Sequence, residues 1–318
     1  MQENNASRRE LFSAIVPCKD EEDVLFSFLK EFKESVDKIP NIEWEIIFVE
    51  DGSKDATLDK IKEMNREDGR IRYISFSRNF GKEAAMLAGL TEARGNYIAI
   101  MDADLQDPPE LLPEMFKAIR EDGYECAATR RSTRDGEPPL RTFGAKCFYK
   151  TLNAVSRIKF TEGARDFRLI TRRVRDAILE LPEYNRFLKG VYEYVGFKTK
   201  WFEFENRERI AGKTKWSTWG LILYSFEAIT SFSTVPLALV ALGGVLLSVV
   251  SVLAIVFLSI RQLIYHNSAF GWTSMICVIL LIGGLQLFSL GAIGYYTAKI
   301  YLESKRRPHY VIQEKSSE

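Results

Sequence analysis

Histidine is nearly missing from this sequence: its 318 residues include only His266 and His309. Neither lies in a motif, which disfavours both a Ser-His-Asp hydrolase and a zinc site built on histidine. The four cysteines form no CxxC pair. This spacing predicts free, buried thiols in a reducing compartment rather than a disulfide framework or a metal-binding motif.

Glycine-rich phosphate-binding loops are also missing. No GxGxxG follows the first predicted strand and no GxxxxGK[ST] occurs anywhere, which disfavours a dinucleotide-dependent dehydrogenase and a P-loop ATPase. The first nine residues contain no apolar run, so no cleavable signal peptide is predicted. The 44 basic and 43 acidic residues nearly cancel, and no nucleic-acid partner is expected.

The first half of the chain alternates between short β-rich runs and amphipathic segments. Strands are predicted at residues 12–17, 44–49, 71–75, 97–101 and 126–129. Strand–helix alternation is typical of an α/β, Rossmann-like, mostly parallel sheet with helices on both faces. Further along, we expect a helix at 143–156, another starting near Arg173, and a strand at 196–204.

Two long uncharged runs follow the soluble part. Residues 233–260 and 272–298 are each long enough to cross a bilayer, and basic residues flank the pair. The positive-inside rule then places a large N-terminal domain, residues 1–212, and a basic tail, residues 301–318, in the cytoplasm at the inner or plasma membrane. Residues 213–232 are expected to form an amphipathic juxtamembrane segment, and residues 233–300 a two-helix transmembrane domain.

Acidic residues cluster where the predicted strands end. The fourth strand runs into DADLQD at residues 102–107, and oxygen ligands in this spacing suit Mg²⁺ or Mn²⁺. The second strand ends in EDGS at 50–53 and the first in PCKDEE at 17–22. Because ligands of parallel sheets bind at the carboxyl ends of the strands, all three segments are expected to border one crevice.

These motifs, with SRNFGK at 77–82, DFRL at 166–169 and GKTKW at 212–216, resemble family 2 glycosyltransferases. Together with two C-terminal spans, the chain resembles polyprenyl-phosphate sugar transferases, namely the bactoprenol glucosyltransferases and dolichol-phosphate mannose synthases. The resemblance implies a GT-A fold and a membrane enzyme. It also implies inverting, metal-dependent transfer of a hexose from a nucleotide sugar to a polyprenyl phosphate.

Site residues follow from the same resemblance. It implies that Asp102, Asp104 and Gln106 bind the metal and that Asp166, with Asp102 and Asp104, is catalytic. The donor would be bound by residues of the first, second and fourth strand ends: Pro17, Asp20, Glu22, Asp51, Asp102 and Asp104. Phosphate groups would meet basic residues of the second half: Arg130, Arg131, Arg209 and Lys213. Asp166 is left open as a general base or a positioning residue.

UDP-glucose is the favoured donor, with GDP-mannose or an amino-sugar nucleotide as alternatives. Cys18-Lys19-Asp20 depart from the family's usual pattern between the proline and the glutamates, which leaves the donor's base open. A non-catalytic membrane scaffold or a flippase component is the alternative from another class. Glycine pairs at 243–244 and 283–284 permit close helix packing and hence a homo-oligomer.

Overall fold

The computed structural model describes residues 10–131, 139–156, 158–181, 183–184, 186–204, 229–230, 233–265 and 271–317. The strands within these ranges are β1 Glu10–Cys18, β2 Ile42–Glu50, β3 Ile71–Phe76, β4 Tyr97–Ile100, β5 Cys126–Arg131, β6 Ala164–Thr171, β7 Thr199–Phe204 and β8 Ile312–Lys315. They form one mixed sheet in the order β7-β5-β6-β4-β1-β2-β3-β8. The five strands predicted in the first half are confirmed, with ends shifted by at most two residues.

Helices cover both faces of this sheet, as predicted. In chain order they are α1 Leu25–Val36, α2 Thr57–Glu67, α3 Lys82–Glu92, α4 Leu112–Arg120, α5 Pro139–Val155, α6 Arg172–Leu179 and α7 Leu188–Val195. Successive strand residues point to opposite faces. In β1, Phe12, Ala14 and Val16 accordingly pack with α1, α2 and α4, while Ile15 packs with α3, α6 and α7. The buried thiols of Cys18 and Cys126 are free, as expected.

Strands β1, β2, β3 and β4 run parallel to one another. Their carboxyl ends therefore meet at one edge of the sheet, which we call the carboxyl edge. The segments that follow β1, β2 and β4 are the three acidic motifs of the sequence. The topology thus brings these motifs to the same edge, where α/β sheets bind their ligands.

Strand β6 was not predicted, because its sequence ARDFRLIT carries three charged residues. It runs antiparallel to β4, with Ile100 opposite Arg168. Continuing this register by two residues places residue 102 opposite residue 166. The antiparallel insertion of β6 thereby brings Asp166 to the carboxyl edge, next to the motif that follows β4.

Two long apolar helices follow the sheet domain, α8 Val235–Tyr265 and α9 Trp272–Ser304. Within the described residues, one stretch meets the length and hydropathy of a membrane span. This stretch is Val235–Ala254 in α8, with mean hydropathy 2.6 and none of its most apolar window buried. Large apolar side chains of both helices are exposed, among them Leu253 and Phe257 of α8 and Leu287 and Phe288 of α9.

The chain returns to the sheet after α9. The tail, expected only as a basic segment at 301–318, forms strand β8, which pairs antiparallel with β3 at the edge of the sheet. Its four residues, IQEK, contain one apolar side chain and give too short a pattern to predict a strand from sequence. The juxtamembrane segment at 213–232 lies almost entirely outside the described residues, as do Arg209 and Lys213.

Candidate active site

The chain turns sharply after β4. Leu105 has a φ of +55°, a left-handed conformation that costs a non-glycine residue about 1–3 kcal/mol. Its side chain is buried, and the backbone N–H of Gln106 donates to Asp104 Oδ1 at 3.1 Å. Packing and this hydrogen bond therefore hold a strained turn that carries the metal-binding residues expected from the sequence.

Lys82 joins two of the predicted catalytic carboxylates. Its Nζ atom lies 2.7 Å from Asp102 Oδ1 and donates to Asp166 Oδ2 at 2.5 Å. Lys82 is the first residue of α3, while Asp102 follows β4 and Asp166 lies on β6. One ammonium group thus links three elements at the carboxyl edge.

A second lysine approaches Asp166 from the other side. Lys189 Nζ, near the start of α7, lies 3.5 Å from Asp166 Oδ1. Burial would raise the pKa of Asp166, but the charges of Lys189 and Lys82 outweigh burial and hold that pKa well below its ordinary value. Asp166 is therefore an ionised residue between two cations and a weak proton acceptor.

The end of the acidic motif is held by an arginine of β6. Arg165 Nε donates to Asp107 Oδ1 at 2.8 Å, and its Nη2 approaches Gln106 Oε1 at 3.5 Å. Asp107 is fully buried, and burial raises its pKa to about 6 although Arg165 opposes that shift. The other Asp107 oxygen, Oδ2, has no hydrogen-bond partner among the described atoms.

Asp51 holds the loop that precedes Lys82. Its two carboxylate oxygens accept the backbone N–H groups of Phe80 and Gly81 at 2.6 and 2.9 Å. Burial raises the pKa of Asp51 against these hydrogen bonds. Gly52 has a φ of +66°, and a Cβ atom there would lie 2.6 Å from the Arg78 carbonyl carbon and the Asn79 nitrogen. A larger residue would push this loop away, so the EDGS motif positions Lys82 as well as bordering the crevice.

The acidic residues that follow β1 fix a neighbouring loop. Asp20 Oδ1 accepts the backbone N–H of Lys54 at 2.8 Å, and Glu22 Oε2 accepts that of Ala56 at 3.0 Å. Pro17 is paired with Val49 in the β1–β2 register. These three predicted donor-binding residues therefore lie together beside Asp51, and two of them stabilise the entry to α2.

The predicted phosphate-binding arginines lie at the end of β5. Arg130 is opposite Ala164 of β6, two residues from Asp166, and its Nε donates to Glu203 at 3.0 Å. The backbone N–H of Arg131 donates to Gly163 O at 3.2 Å. Arg130 and Arg131 thus reach the same edge of the sheet as the acidic motif.

The side-chain oxygen atoms at the carboxyl edge are suitable ligands for a divalent cation. Asp102, Asp104 and Gln106 offer oxygen ligands within five residues, and Lys82 already places a positive charge against Asp102. Four aspartates at 102, 104, 107 and 166 stand beside three cations, Lys82, Lys189 and Arg165, leaving a negative excess. Among the side chains of the described ranges, no three His, Cys, Asp or Glu residues stand together in a ready-made metal site.

The two lysines were not assigned as site residues from the sequence. The SRNFGK motif contains Lys82, but only the antiparallel pairing of β6 with β4 brings Asp166 within reach of that lysine. Lys189 lies in a short helix with no motif at all. A lysine at the start of a helix, directly after a loop that follows a strand, is a weak signal in sequence, and the contact with Asp166 makes it informative.

A family model described as Glycosyl transferase family 2 matches residues 13–179, which include the strand-end motifs and Asp166. Relatives match nearly the whole chain. A prophage bactoprenol glucosyl transferase homolog of Escherichia coli (strain K12) is 38% identical over 95% of this chain and 98% of its own length. The putative glycosyltransferase CsbB of Bacillus subtilis (strain 168) is 39% identical over 96% of this chain and 92% of its own length.

Among solved structures, similarity is lower. A glucosyl-3-phosphoglycerate synthase from Mycobacterium tuberculosis, in complex with Mn²⁺, UDP-glucose and phosphoglyceric acid, has a TM-score of 0.46 and 16% identity. The match covers 69% of this chain and 77% of that one.

The family match spans more than half of this chain, and the relatives align almost end to end. The chain therefore belongs to glycosyl transferase family 2 and is a glycosyltransferase.

Proposed function

We propose that this enzyme transfers a hexose, glucose from UDP-glucose, to the phosphate of a membrane polyprenyl phosphate with inversion at the anomeric carbon. The observation that carries this proposal is the cluster of Asp102, Asp104 and Asp166 with Lys82 and Lys189 at the carboxyl edge. Relatives named bactoprenol glucosyl transferase, 38–39% identical over 95% of this chain, support the same acceptor class and sugar.

The reaction is a single displacement. An oxygen of the acceptor phosphate forms a bond to the anomeric carbon, while the bond from that carbon to the nucleoside diphosphate breaks. The electron pair of the broken bond leaves with the diphosphate. The second pKa of a phosphate monoester is about 6, so at neutral pH the attacking oxygen is already ionised and needs no general base.

Asp166 then acts as a positioning residue. Both of its oxygens face lysine ammonium groups, and its low pKa makes it a poor proton acceptor. Its negative charge holds Lys82 and Lys189 at the reaction centre. Positive groups fixed in advance stabilise the charge that develops on phosphate oxygens, and this kind of stabilisation is usually the largest catalytic term.

A divalent cation, Mg²⁺ or Mn²⁺, would be held by Asp102, Asp104 and Gln106. When bound, it supplies Lewis-acid stabilisation of the leaving diphosphate. Arg130, Arg131, Arg209 and Lys213 are proposed to meet the remaining phosphate charge of donor or acceptor. Pro17, Asp20, Glu22 and Asp51 are proposed to border the donor nucleoside.

The fold also supports two membrane crossings. The sheet domain precedes α8, and β8, which follows α9, pairs within that same sheet. Both ends of the helix pair therefore connect to the same sheet, and this arrangement supports the proposal that α8 and α9 cross the bilayer together and return the chain to the side from which it came. In α8, Leu253 is 64% exposed, and in α9, Leu287 is 72% exposed, a large apolar surface that a bilayer would cover. We place the sheet domain in the cytoplasm because the flanks are basic.

The membrane attachment has a physical reason. Each CH₂ group moved from lipid to water costs about 0.8 kcal/mol, so a polyprenyl chain stays in the bilayer and the enzyme must meet its phosphate at the surface. In this structure, the end of α9 is close to the site: Glu303 Oε1 accepts the backbone N–H of Tyr184, five residues before Lys189. The reaction centre is thus tied to a helix that we propose to be membrane-bound.

Purified full-length enzyme in nanodiscs tests the proposal. UDP-glucose, GDP-mannose and UDP-N-acetylglucosamine are offered separately with undecaprenyl phosphate or undecaprenol, and labelled lipid is measured after extraction. We expect transfer from UDP-glucose to the phosphate only, and loss of transfer in Asp104→Ala but not in the surface variant Asp122→Ala. Transfer from another nucleotide sugar would show that the proposed donor is wrong. Transfer to undecaprenol would show that the proposed phosphate acceptor is wrong.

A further inference from the structure

The two lysines that flank Asp166 both follow loops that contact the C-terminal segment of the chain. Lys82 begins α3 after residues 77–81, and Lys189 lies at the start of α7 after the turn that contains Tyr184. Residues 303–311, which comprise the last two residues of α9 and the segment that leads from it to β8, touch both regions. We call this segment the C-terminal brace.

The first contact is an aromatic stack beneath the Lys82 loop. The ring of Tyr310 stacks on Phe76 with centroids 4.9 Å apart, and Phe76 meets Phe80 edge-on at 5.7 Å. The backbone N–H of Ser77 donates to Val311 O at 3.0 Å. Phe80 is the residue whose N–H binds Asp51, so the brace supports the loop at the point where the EDGS motif holds it.

The second contact is on the Lys189 side. Glu303 Oε1, in the last turn of α9, accepts the backbone N–H of Tyr184 at 2.7 Å. The rings of Tyr184 and His309 stack with centroids 5.4 Å apart and planes 23° from parallel. The brace therefore reaches the approach to α7 as well as the approach to α3.

The far end of the brace is anchored independently of these loops. In β8, Glu314 lies 2.6 Å from Lys62 Nζ, and Lys315 Nζ lies 3.0 Å from Glu92. The backbone N–H of Ser316 donates to Tyr73 O at 3.0 Å. With α9 at one end and the sheet edge at the other, the brace has two fixed ends.

We propose that the C-terminal brace positions Lys82 and Lys189 around Asp166, with Tyr310 and Glu303 as its positioning residues, and so couples the end of α9 to the reaction centre. The proposal rests on the proposed function for its kinetic consequence, but its structural consequence stands on these contacts alone. A misplacement of reacting groups by about 1 Å can cost about 100-fold in rate. Loss of the brace is therefore expected to reduce turnover more than binding.

The experiment compares Tyr310→Ala with Tyr310→Phe and with Glu314→Gln, a control that weakens the β8 anchor without touching either loop. For Tyr310→Ala we expect kcat to fall at least about tenfold, with UDP affinity changed less than about threefold. Tyr310→Phe keeps the stack and should restore kcat, and Glu314→Gln should stay within about twofold of the unaltered enzyme. A Tyr310→Ala kcat equal to that of Glu314→Gln would overturn the proposal.

Hydrogen–deuterium exchange gives a readout that needs no activity. Tyr310→Ala should speed exchange in residues 77–92, and Glu303→Ala should do so in residues 183–195. Glu314→Gln should change only β3, β8 and the part of α2 around Lys62. Exchange confined to the sheet edge in all three variants would show that the segment stabilises the edge alone. If the unaltered enzyme transfers no sugar, the proposed function fails while this measurement still decides the brace. If Tyr310→Ala does not fold, Glu303→Ala decides it.

Discussion

Replacing Lys82 by methionine removes one positive charge between two carboxylates while keeping the length of the side chain. Asp102 and Asp166 both contact the same Nζ atom, at 2.7 and 2.5 Å. Their nearest oxygens therefore lie within about 5 Å, where two like charges repel by about 3 kcal/mol at an effective dielectric constant of 20. The lysine is partly exposed, so solvent screening reduces the stability that its loss removes to about 1–2 kcal/mol.

The catalytic effect should be larger than the effect on stability. Removing one preorganised group that stabilises developing charge costs about 100- to 1,000-fold in kcat. We expect Lys82→Met to lose at least about 100-fold in kcat, and Lys82→Arg to recover part of that loss. Because a competing cation leaves Asp102, the Mn²⁺ concentration that gives half-maximal activity should fall in Lys82→Met.

The assay is transfer of labelled glucose from UDP-glucose to undecaprenyl phosphate across a Mn²⁺ titration, with thermal unfolding measured in parallel. Lys200→Met is the matched control, because Lys200 also pairs with an aspartate, Asp122 at 2.8 Å, but on the exposed end of β7. The control should keep its kcat within about twofold. A Lys82→Met enzyme with the control's kcat, or one that needs more Mn²⁺, would contradict this role of Lys82.

Three further variants test the site and the sheet domain. Asp166→Asn should lower kcat at least about 100-fold, and by the same factor from about pH 6 to about pH 9, because it removes the partner of two lysines rather than a base. If the kcat of the unaltered enzyme rose with pH through a titration that the variant lacks, Asp166 would act as a base and this expectation would be wrong. Burial, and then repulsion by Asp166, raise the pKa of Glu83 from 4.5 to about 7. The folded protein thus holds a proton that the unfolded chain has released, and stability falls as pH rises between these values. Glu83→Gln should match the unaltered enzyme in thermal unfolding near pH 4 and exceed its unfolding free energy by about 3 kcal/mol near pH 8. Equal stability of the two proteins at both pH values would refute the shift. Asp68 accepts hydrogen bonds from Arg70 and Lys33, which lower its pKa. Asp68→Asn should therefore lose about 1 kcal/mol of unfolding free energy at neutral pH. This loss should shrink at acidic pH, where the carboxylate of the unaltered enzyme becomes protonated. A loss that stays constant with pH would show that these hydrogen bonds do not lower the pKa of Asp68.

The parallel half of the sheet was predictable because its strands are buried on both faces and read as short apolar runs between amphipathic helices. The apolar runs therefore predicted the ends of β1 and β2 to within two residues. Strand β6 was not predicted because Arg165, Asp166 and Arg168 interrupt its apolar pattern. The charged residues that bring this strand into the candidate site are therefore the same ones that break the alternating apolar pattern from which a strand is predicted.

The candidate site shows a similar division. The acidic motifs were found because parallel strands deliver their carboxyl ends to one edge, a rule that needs no coordinates. The contacts of Lys82 and Lys189 depend on the register of β6 against β4 and on the placement of α7, which are long-range pairings. The C-terminal brace was invisible for the same reason, since β8 pairs with a strand more than 200 positions earlier in the chain.

Diffraction from crystals soaked with UDP and Mn²⁺, recorded at a wavelength where manganese scatters anomalously, decides whether a divalent cation binds at the carboxyl edge. We expect one anomalous peak beside Asp104 and Gln106 at the carboxyl end of β4, with the diphosphate next to it and Lys82 withdrawn from Asp102. A peak elsewhere, or no peak together with glucose transfer that continues in EDTA, would contradict this expectation.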